Sequence, residues 1–459
     1  MVWFPADRDA EAQQLVDDVV RLLRDRLADR EPSLGRSLSE TELRTALGRS
    51  ITSAGLGAGE ALRRFAEVIA PNCLTIDHPR YLAFVPDAPS HASTLADVLV
   101  SVWNMYPGTF ADGSGAVVAE NQALEWLARL VGLPDGAGGA FVSGGTAGNL
   151  SALIAARHRW RSRANGAFDR THGILVVSEG AHASVEAAAR VMDTDVITVP
   201  ADDGGRLSRH ALAETVAGLG PTHRPRVFAV VATAGTTNAG TVDDITAAAD
   251  AAENLDTWLH VDGAYGGAAL LASSVRGRFA GIERCDSVII DPHKWLFAPF
   301  DSCALVYRDP SIARAAHTQH AAYLEPTQWR AEWNPSDFAH HLTRRARGLP
   351  FWFGLTAYGT DAYAAAVEEN LRLAGETAAL VRERPDLELV MEPELSVVLV
   401  KRLGWDADDY RRWSDRTAAA GLGYVTPTTW RNETVIRLCF VNPATRVDDI
   451  RWLLDSLSA

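Results

Sequence analysis

Between residues 9 and 30 the apolar side chains Leu15, Val16, Val19, Val20, Leu22, Leu23 and Leu27 recur at helical spacing among Asp and Arg, which predicts an amphipathic helix. After a break at 32–35, Ser39-Glu40-Thr41-Glu42 has the capping-box pattern that starts a second helix. These helices cover either the chain's own core or another subunit. Residues 78–89 contain three prolines and several large apolar side chains, which predicts a rigid extended stretch. Helical periodicity returns at 95–103 and 117–131.

The pattern then changes period. Short apolar or β-branched runs at 174–177, 196–199, 227–233, 258–261, 287–290 and 304–307 alternate with helix-like stretches such as 181–191 and 245–252. Strands alternating with helices predict an α/β fold with a mostly parallel sheet covered by helices. Periodicity lapses over 315–335, and a long irregular stretch inside a compact protein reads as a functional lid. Helical pattern resumes at 351–376. Strands at 387–391, 395–400 and 434–440 with helices at 410–420 and 447–457 form a smaller α+β unit. The expected organisation is an amino-terminal segment over 1–90, a large α/β domain over 91–345 and a small domain over 346–459.

Composition narrows the function classes. A chain of 459 residues exceeds one simple core, and 47% hydrophobic with 22% charged residues is ordinary globular usage. The net charge of -14 argues against nucleic acid or an anionic membrane as partner. Cys73, Cys285, Cys303 and Cys439 lack ligand or disulfide spacing, and no apolar run is long enough to span a bilayer, so a cytoplasmic location is expected. His317 with His320, and His340 with His341, have no acidic or cysteine ligand at a usual spacing, so no metal site is expected.

Four strand-to-helix junctions carry candidate chemistry. Ser143-Gly-Gly-Thr-Ala-Gly-Asn-Leu150 opens a helix, and its glycine amides with the Thr146 hydroxyl suit a phosphate. Neither the P-loop lysine nor dinucleotide spacing is present, and a lone glycine turn is more often structural than not. His182, in Ser178-Glu-Gly-Ala-His182, reads singly as a cap or surface residue. Asp262 ends the run Trp258-Leu-His-Val-Asp262; it either caps the next turn or meets a positive partner such as a protonated ring nitrogen, with Ala264 small enough for a flat ring to lie against. Finally, Ser287-Val-Ile-Ile-Asp-Pro-His-Lys294 runs a strand into a proline that must stop it, presenting His293 and Lys294 at the ligand-binding edge of the sheet. Alone, Lys294 reads as a solvated lysine. Together the junctions offer an anion site, a stacking surface, an acid partner and a nucleophilic amine, the four requirements of pyridoxal phosphate.

His-Val-Asp-Gly-Ala-Tyr265 and Asp291-Pro-His-Lys-Trp-Leu296 resemble the group II pyridoxal-phosphate-dependent amino-acid decarboxylases, which include the aromatic-L-amino-acid, histidine and glutamate decarboxylases. The resemblance runs from about His78 to the carboxyl terminus. It implies the fold-type-I architecture and a homodimer with sites at the interface. It also implies that Lys294 holds the cofactor as a Schiff base, Asp262 binds the ring nitrogen, and Ala264 and His182 take opposite ring faces. Gly145, Thr146 and Asp291 would lie near the phosphate, His293 would order the lysine, and Thr236 would line the site. Ala322-Tyr-Leu-Glu325 resembles the family's mobile loop, making Tyr323 the proton donor to the substrate carbon.

Two departures stand out. Asp291 occupies a position where several members carry asparagine, and a carboxylate there would repel a phosphate unless it points away or is bridged. Leu82 and Val85 are aliphatic where members acting on aromatic substrates carry more aromatics; Phe84, Val85 and Pro86 remain candidates for an apolar pocket, while Asp87 could attract a cation. The expected reaction is α-decarboxylation of an aromatic or bulky apolar L-amino acid. The alternatives are a cationic or aliphatic substrate and an oxidative aldehyde synthase, in which the loop tyrosine or stacking histidine tends to be replaced. A silent scaffold is disfavoured by retention of Lys294 and Asp262.

Overall fold

The computed structural model describes residues 10–29, 32–35, 37–85, 88–163, 171–322 and 332–457. Its centre is a seven-stranded sheet of β1 (Gly138–Val142), β2 (Ile174–Ser178), β3 (Asp195–Val199), β4 (Val227–Thr233), β5 (Trp258–Asp262), β6 (Ser287–Ile290) and β7 (Cys303–Tyr307), ordered β1-β7-β6-β5-β4-β2-β3. Only β7 runs against its neighbours. Most of these strands are buried along their whole length, which is why they read as continuous Val, Ile and Ala runs and not as alternating ones.

Ahead of the sheet lie α1 (Ala10–Ala28), α2 (Glu40–Leu47), α3 (Ala58–Arg64), α4 (His91–Val102) and α5 (Phe110–Val131). The Ser39 capping box is formed, with the Glu42 amide donating to Ser39 Oγ and the Ser39 amide to Glu42 Oε2. Within the sheet come α6 (Gly145–Arg163), α7 (Ala183–Met192), α8 (Arg209–Ala217), α9 (Ile245–Asn254), the one-turn α10 (Pro292–Trp295) and α11 (Pro310–His317). They cover both faces and create two large apolar clusters, one containing Ala248, Leu259 and Ile290, the other Ala152, Trp258 and Ile289.

The expected helix over 351–376 is two helices, α12 (Leu349–Tyr358) and α13 (Thr360–Arg382). Gly359, at φ 77, makes the break. A four-stranded antiparallel sheet follows, ordered β10 (Pro427–Trp430), β11 (Glu433–Cys439), β9 (Val397–Arg402), β8 (Leu387–Leu389), with α14 (Ala407–Ala419) and α15 (Val447–Ser456) around a third cluster. The extended stretch after His78 docks here: Tyr81 bridges to Tyr424, and the Leu82 and Ala83 amides both donate to Tyr424 O.

Candidate active site

The junctions that follow β1, β2, β4, β5 and β6 open at one edge of the large sheet, around a cavity of about 300 Å³. Gly145, Thr146, His182, Asp262, Ala264, Asp291, His293 and Lys294 all line it. Four separate motifs are thus brought together by the topology, because parallel strands present their carboxyl ends on the same side.

Each position has a local cause. β6 ends at Ile290, and Pro292 begins α10, which carries Lys294 back over the strand end with its amide donating to Asp291 O. Gly145 is held close to the sheet: a Cβ there would come within 3.2 Å of both Ala264 Cβ and Asp291 Oδ2. His182 caps α7, where the Ser184 amide donates to its Nδ1 at 3.2 Å. That bond requires Nδ1 to be unprotonated and leaves the proton on Nε2. Asp262 likewise does two things, since Oδ1 accepts the Ala264 amide at 3.1 Å and Oδ2 accepts Asn149 Nδ2 at 2.8 Å. For both residues a capping bond leaves the side chain on the cavity lining.

Lys294 stays strongly basic although it is buried. Burial pushes its ammonium downward, but the attraction of Asp291 and Asp262 outweighs it, and the net direction is upward. Its Nζ stands 3.2 Å from Asp291 Oδ2, the oxygen that also accepts the Gly145 amide at 3.2 Å. Asp291 therefore points into the glycine turn and holds one of the donors a phosphate would use. His293 is fixed from its other side by Ser302, whose carbonyl oxygen lies 2.6 Å from Nδ1, and its ring lies 5.0 Å from that of Phe300.

Other assignments change. Thr236 turns its hydroxyl to Thr241 Oγ1 at 2.9 Å, and the neighbouring Thr237 lines the cavity in its place. Phe84 is 59% exposed and, with Val85, lies outside the lining of this cavity; its carbonyl is tied to the edge of the site through Arg437, which also donates to Thr237 O at 2.7 Å. Pro86, Asp87 and Tyr323 lie outside the described residues. Asn149, Ser184, Thr237, Phe300 and Asp301 carry no sequence signal as strong as the four motifs, yet all line the cavity. A signal existed for Asn149, which sits four residues after Gly145 and so shares its helix face.

The residues fit pyridoxal phosphate. The α6 amino terminus with Ser143 and Thr146 offers donors to a phosphate, and Asp262 is an anchored acceptor for a ring nitrogen. Ala264 and His182 stand on the same lining as Lys294, and the Thr233 hydroxyl, opposite Asp262 in the β4–β5 register, is buried without a hydrogen-bond partner among the described residues. No group of three or more His, Cys, Asp or Glu capable of holding a metal occurs among those residues.

Comparison with known proteins agrees with this geometry. Residues 58–402 match the pyridoxal-dependent decarboxylase conserved domain. The chain is 29% identical over 462 residues to the aromatic-L-amino-acid decarboxylase of Bacillus atrophaeus, covering 98% of this chain and 95% of that protein. It is 32% identical over 414 residues to the L-2,4-diaminobutyrate decarboxylase of Rhizobium meliloti (strain 1021), covering 88% and 82%. It shares its fold with Oryza sativa TDC, solved with PLP and tryptamine, at a TM-score of 0.90 and 23% identity over 100% of this chain and 99% of that one. The chain belongs to the pyridoxal-dependent decarboxylase family, and its cofactor is pyridoxal phosphate.

Proposed function

We propose that this decarboxylase removes the α-carboxylate of an aromatic or bulky apolar L-amino acid, giving the amine and carbon dioxide. The observation that carries the substrate class is Phe300. It lines the cavity and is 55% exposed as a residue, while the adjacent Asp301 is paired with Arg347 at 2.8 Å and so offers no free charge to a cationic side chain. The similarity to a diaminobutyrate decarboxylase supports a second reading, a cationic substrate, with Asp87 as the counter-charge.

Bound pyridoxal phosphate supplies an electron sink for the pair released when the carboxylate leaves. The chain's own residues do the rest in this reading. Lys294 Nζ would hold the cofactor through its amine, standing at the cavity beside Asp291. Asp262, held by Asn149 and the Ala264 amide, keeps a proton on the ring nitrogen. His182 and Ala264 confine the ring from its two faces, the amides and hydroxyls of 143–146 hold the phosphate, and His293 orders Lys294. Tyr323 returns a proton to the substrate carbon, and the segment around it excludes water. The described fold resumes at Glu332, and Trp333 is stacked on Phe338 at 4.1 Å and donates to Gly139 O at 3.1 Å.

The protein is proposed to act as a homodimer in the cytoplasm. Exposed Leu95, Val98, Leu99 and Val102 on α4 fall at spacing i, i+3, i+4, i+7, the stripe of a helix that packs against something, and Val16, Val19 and Val20 on α1 are also exposed. All four cysteines are free, which fits a reducing compartment. The elution volume of the holoenzyme tests the dimer. Incubation with a panel of L-amino acids, following carbon dioxide, amine, aldehyde and peroxide together, tests the reaction: amine from aromatic substrates supports it, and turnover confined to diamino acids or aldehyde with peroxide contradicts it.

A further inference from the structure

Beneath the cavity the face of the large sheet covered by α6 carries an unusual run of buried polar side chains. Trp258, His260 and Asp262 alternate along β5 and so point to the same face, and His260 pairs with Ser287 across the β5–β6 register. The Trp258 indole Nε1 lies 2.8 Å from Ser287 Oγ, which lies 2.8 Å from His260 Nδ1. His260 Nε2 is 2.8 Å from Asn149 Oδ1, and Asn149 Nδ2 reaches both Asp262 Oδ2 at 2.8 Å and Ser184 Oγ at 2.9 Å. Ser184 Oγ lies 2.8 Å from His182 Nδ1. His260, Asn149 and Ser287 are fully buried.

We infer that Trp258, Ser287, His260 and Asn149 form a one-directional hydrogen-bond relay that positions Asp262 and His182 together toward the cofactor. The direction is set from the Asp262 end. A carboxylate can only accept, so Asn149 presents Nδ2 to Asp262 and Oδ1 to His260 Nε2–H, and the neutral His260 ring then accepts at Nδ1 from Ser287 Oγ, whose lone pair takes the Trp258 indole N–H. The same Asn149 amide nitrogen also faces Ser184. The Ser184 amide, donating to His182 Nδ1, requires the Ser184 hydroxyl to point the same way. Every polar atom named has a partner under this single set of directions. The opposite orientation of Asn149 would set its carbonyl against the Asp262 carboxylate. Burial, which lowers the basicity of His260, keeps the ring neutral and the relay intact.

The relay couples the residue proposed to hold the ring nitrogen to the residue proposed to flank the ring through one side-chain amide, and it rests on those two roles. None of its buried members touches the reacting atoms, so they act as positioning residues.

The test compares Ser287→Thr with Ser287→Val in the reconstituted holoenzyme. The two replacements have nearly the same volume and both suit a strand, and only threonine retains the hydroxyl. The relay predicts that the valine variant releases pyridoxal phosphate roughly fivefold faster, the scale of one lost buried hydrogen bond, and that the pH midpoint of the bound cofactor's absorption band moves by at least about half a unit. The threonine variant should match the parent in both. Equal release rates and equal midpoints for the two variants overturn the relay. If the valine variant does not fold, a neutron structure of the unaltered holoenzyme decides: deuterium on His260 Nε2 supports the relay, and deuterium on Nδ1 overturns it. Failure of the cofactor-site reading is distinguishable, because the parent protein would then bind no cofactor at Lys294.

Discussion

Lys294 Nζ lies 3.2 Å from Asp291 Oδ2, and with Asp262 this contact raises the lysine above its ordinary value despite burial. A charged ammonium cannot attack an aldehyde, so attachment of pyridoxal phosphate to the apoprotein must await loss of that proton. Attachment should therefore quicken as pH rises. Replacing Asp291 with asparagine lowers Lys294 and should speed attachment at pH 7.5 by about three- to tenfold, since each unit of pKa is worth a factor of about ten. Stopped-flow absorbance of the reconstituting apoprotein measures this; an unchanged rate and pH profile would mean that Asp291 does not hold the charge.

Glu120 and Arg344 form a bidentate pair at 2.6 and 2.9 Å, with side chains 2% and 0% exposed, and Glu120 also accepts the Gly348 amide at 2.8 Å. The pair ties α5 to the segment entering α12. Glu120→Gln should cost about 3 kcal/mol in urea unfolding of the apoprotein, because it leaves a buried guanidinium uncompensated. At the exposed pair of Arg372 and Glu369, Arg372→Ala should cost less than about 1 kcal/mol.

His317 is buried against α6, with Nε2 3.0 Å from Ser151 O, and burial lowers it to about 4. A histidine held neutral in the fold stabilises it above the unfolded value of about 6.5, and that contribution is lost as pH falls toward 4. Asp243, raised to about 6 by burial, contributes with the opposite sign over much of the same range. The difference between parent and His317→Gln isolates the histidine. The stability advantage of the parent should shrink by about 2 kcal/mol between pH 7 and pH 4 in unfolding titrations.

Tyr323→Phe removes the hydroxyl proposed to protonate the substrate carbon. Amine formation should fall by on the order of a hundredfold, within the usual worth of general acid catalysis, with product diverted toward aldehyde. Product analysis by chromatography checks this, and an unchanged amine-to-aldehyde ratio removes Tyr323 from the reaction.

Much of the site is legible in sequence because period and punctuation act locally. The run 287–290 halted by Pro292, the alternation placing Asp262 at a strand end, and the glycines before α6 each determine backbone direction without help from distant residues. Their convergence follows from the parallel topology. What depends on distant partners was not legible. The three-residue β8 and proline-led β10 are edge strands whose pairing comes from β9 and β11. The choice of Thr237 over Thr236 follows from a bond to Thr241, and the upward shift of Lys294 from carboxylates 3 and 32 positions away in sequence. Phe84 is a pocket candidate through family likeness, whereas in this chain the residue is 59% exposed.

The chain contains two lysines, Lys294 in the cavity and Lys401 in β9, where it pairs with Glu433 at 2.7 Å. Borohydride reduction of the holoenzyme followed by peptide mass mapping therefore tests the central claim with a single internal competitor. Reduction should abolish the visible cofactor band and leave a pyridoxyl group on Lys294 alone. An unmodified Lys294 in reduced, cofactor-saturated protein, or a label on Lys401 in its place, would contradict it.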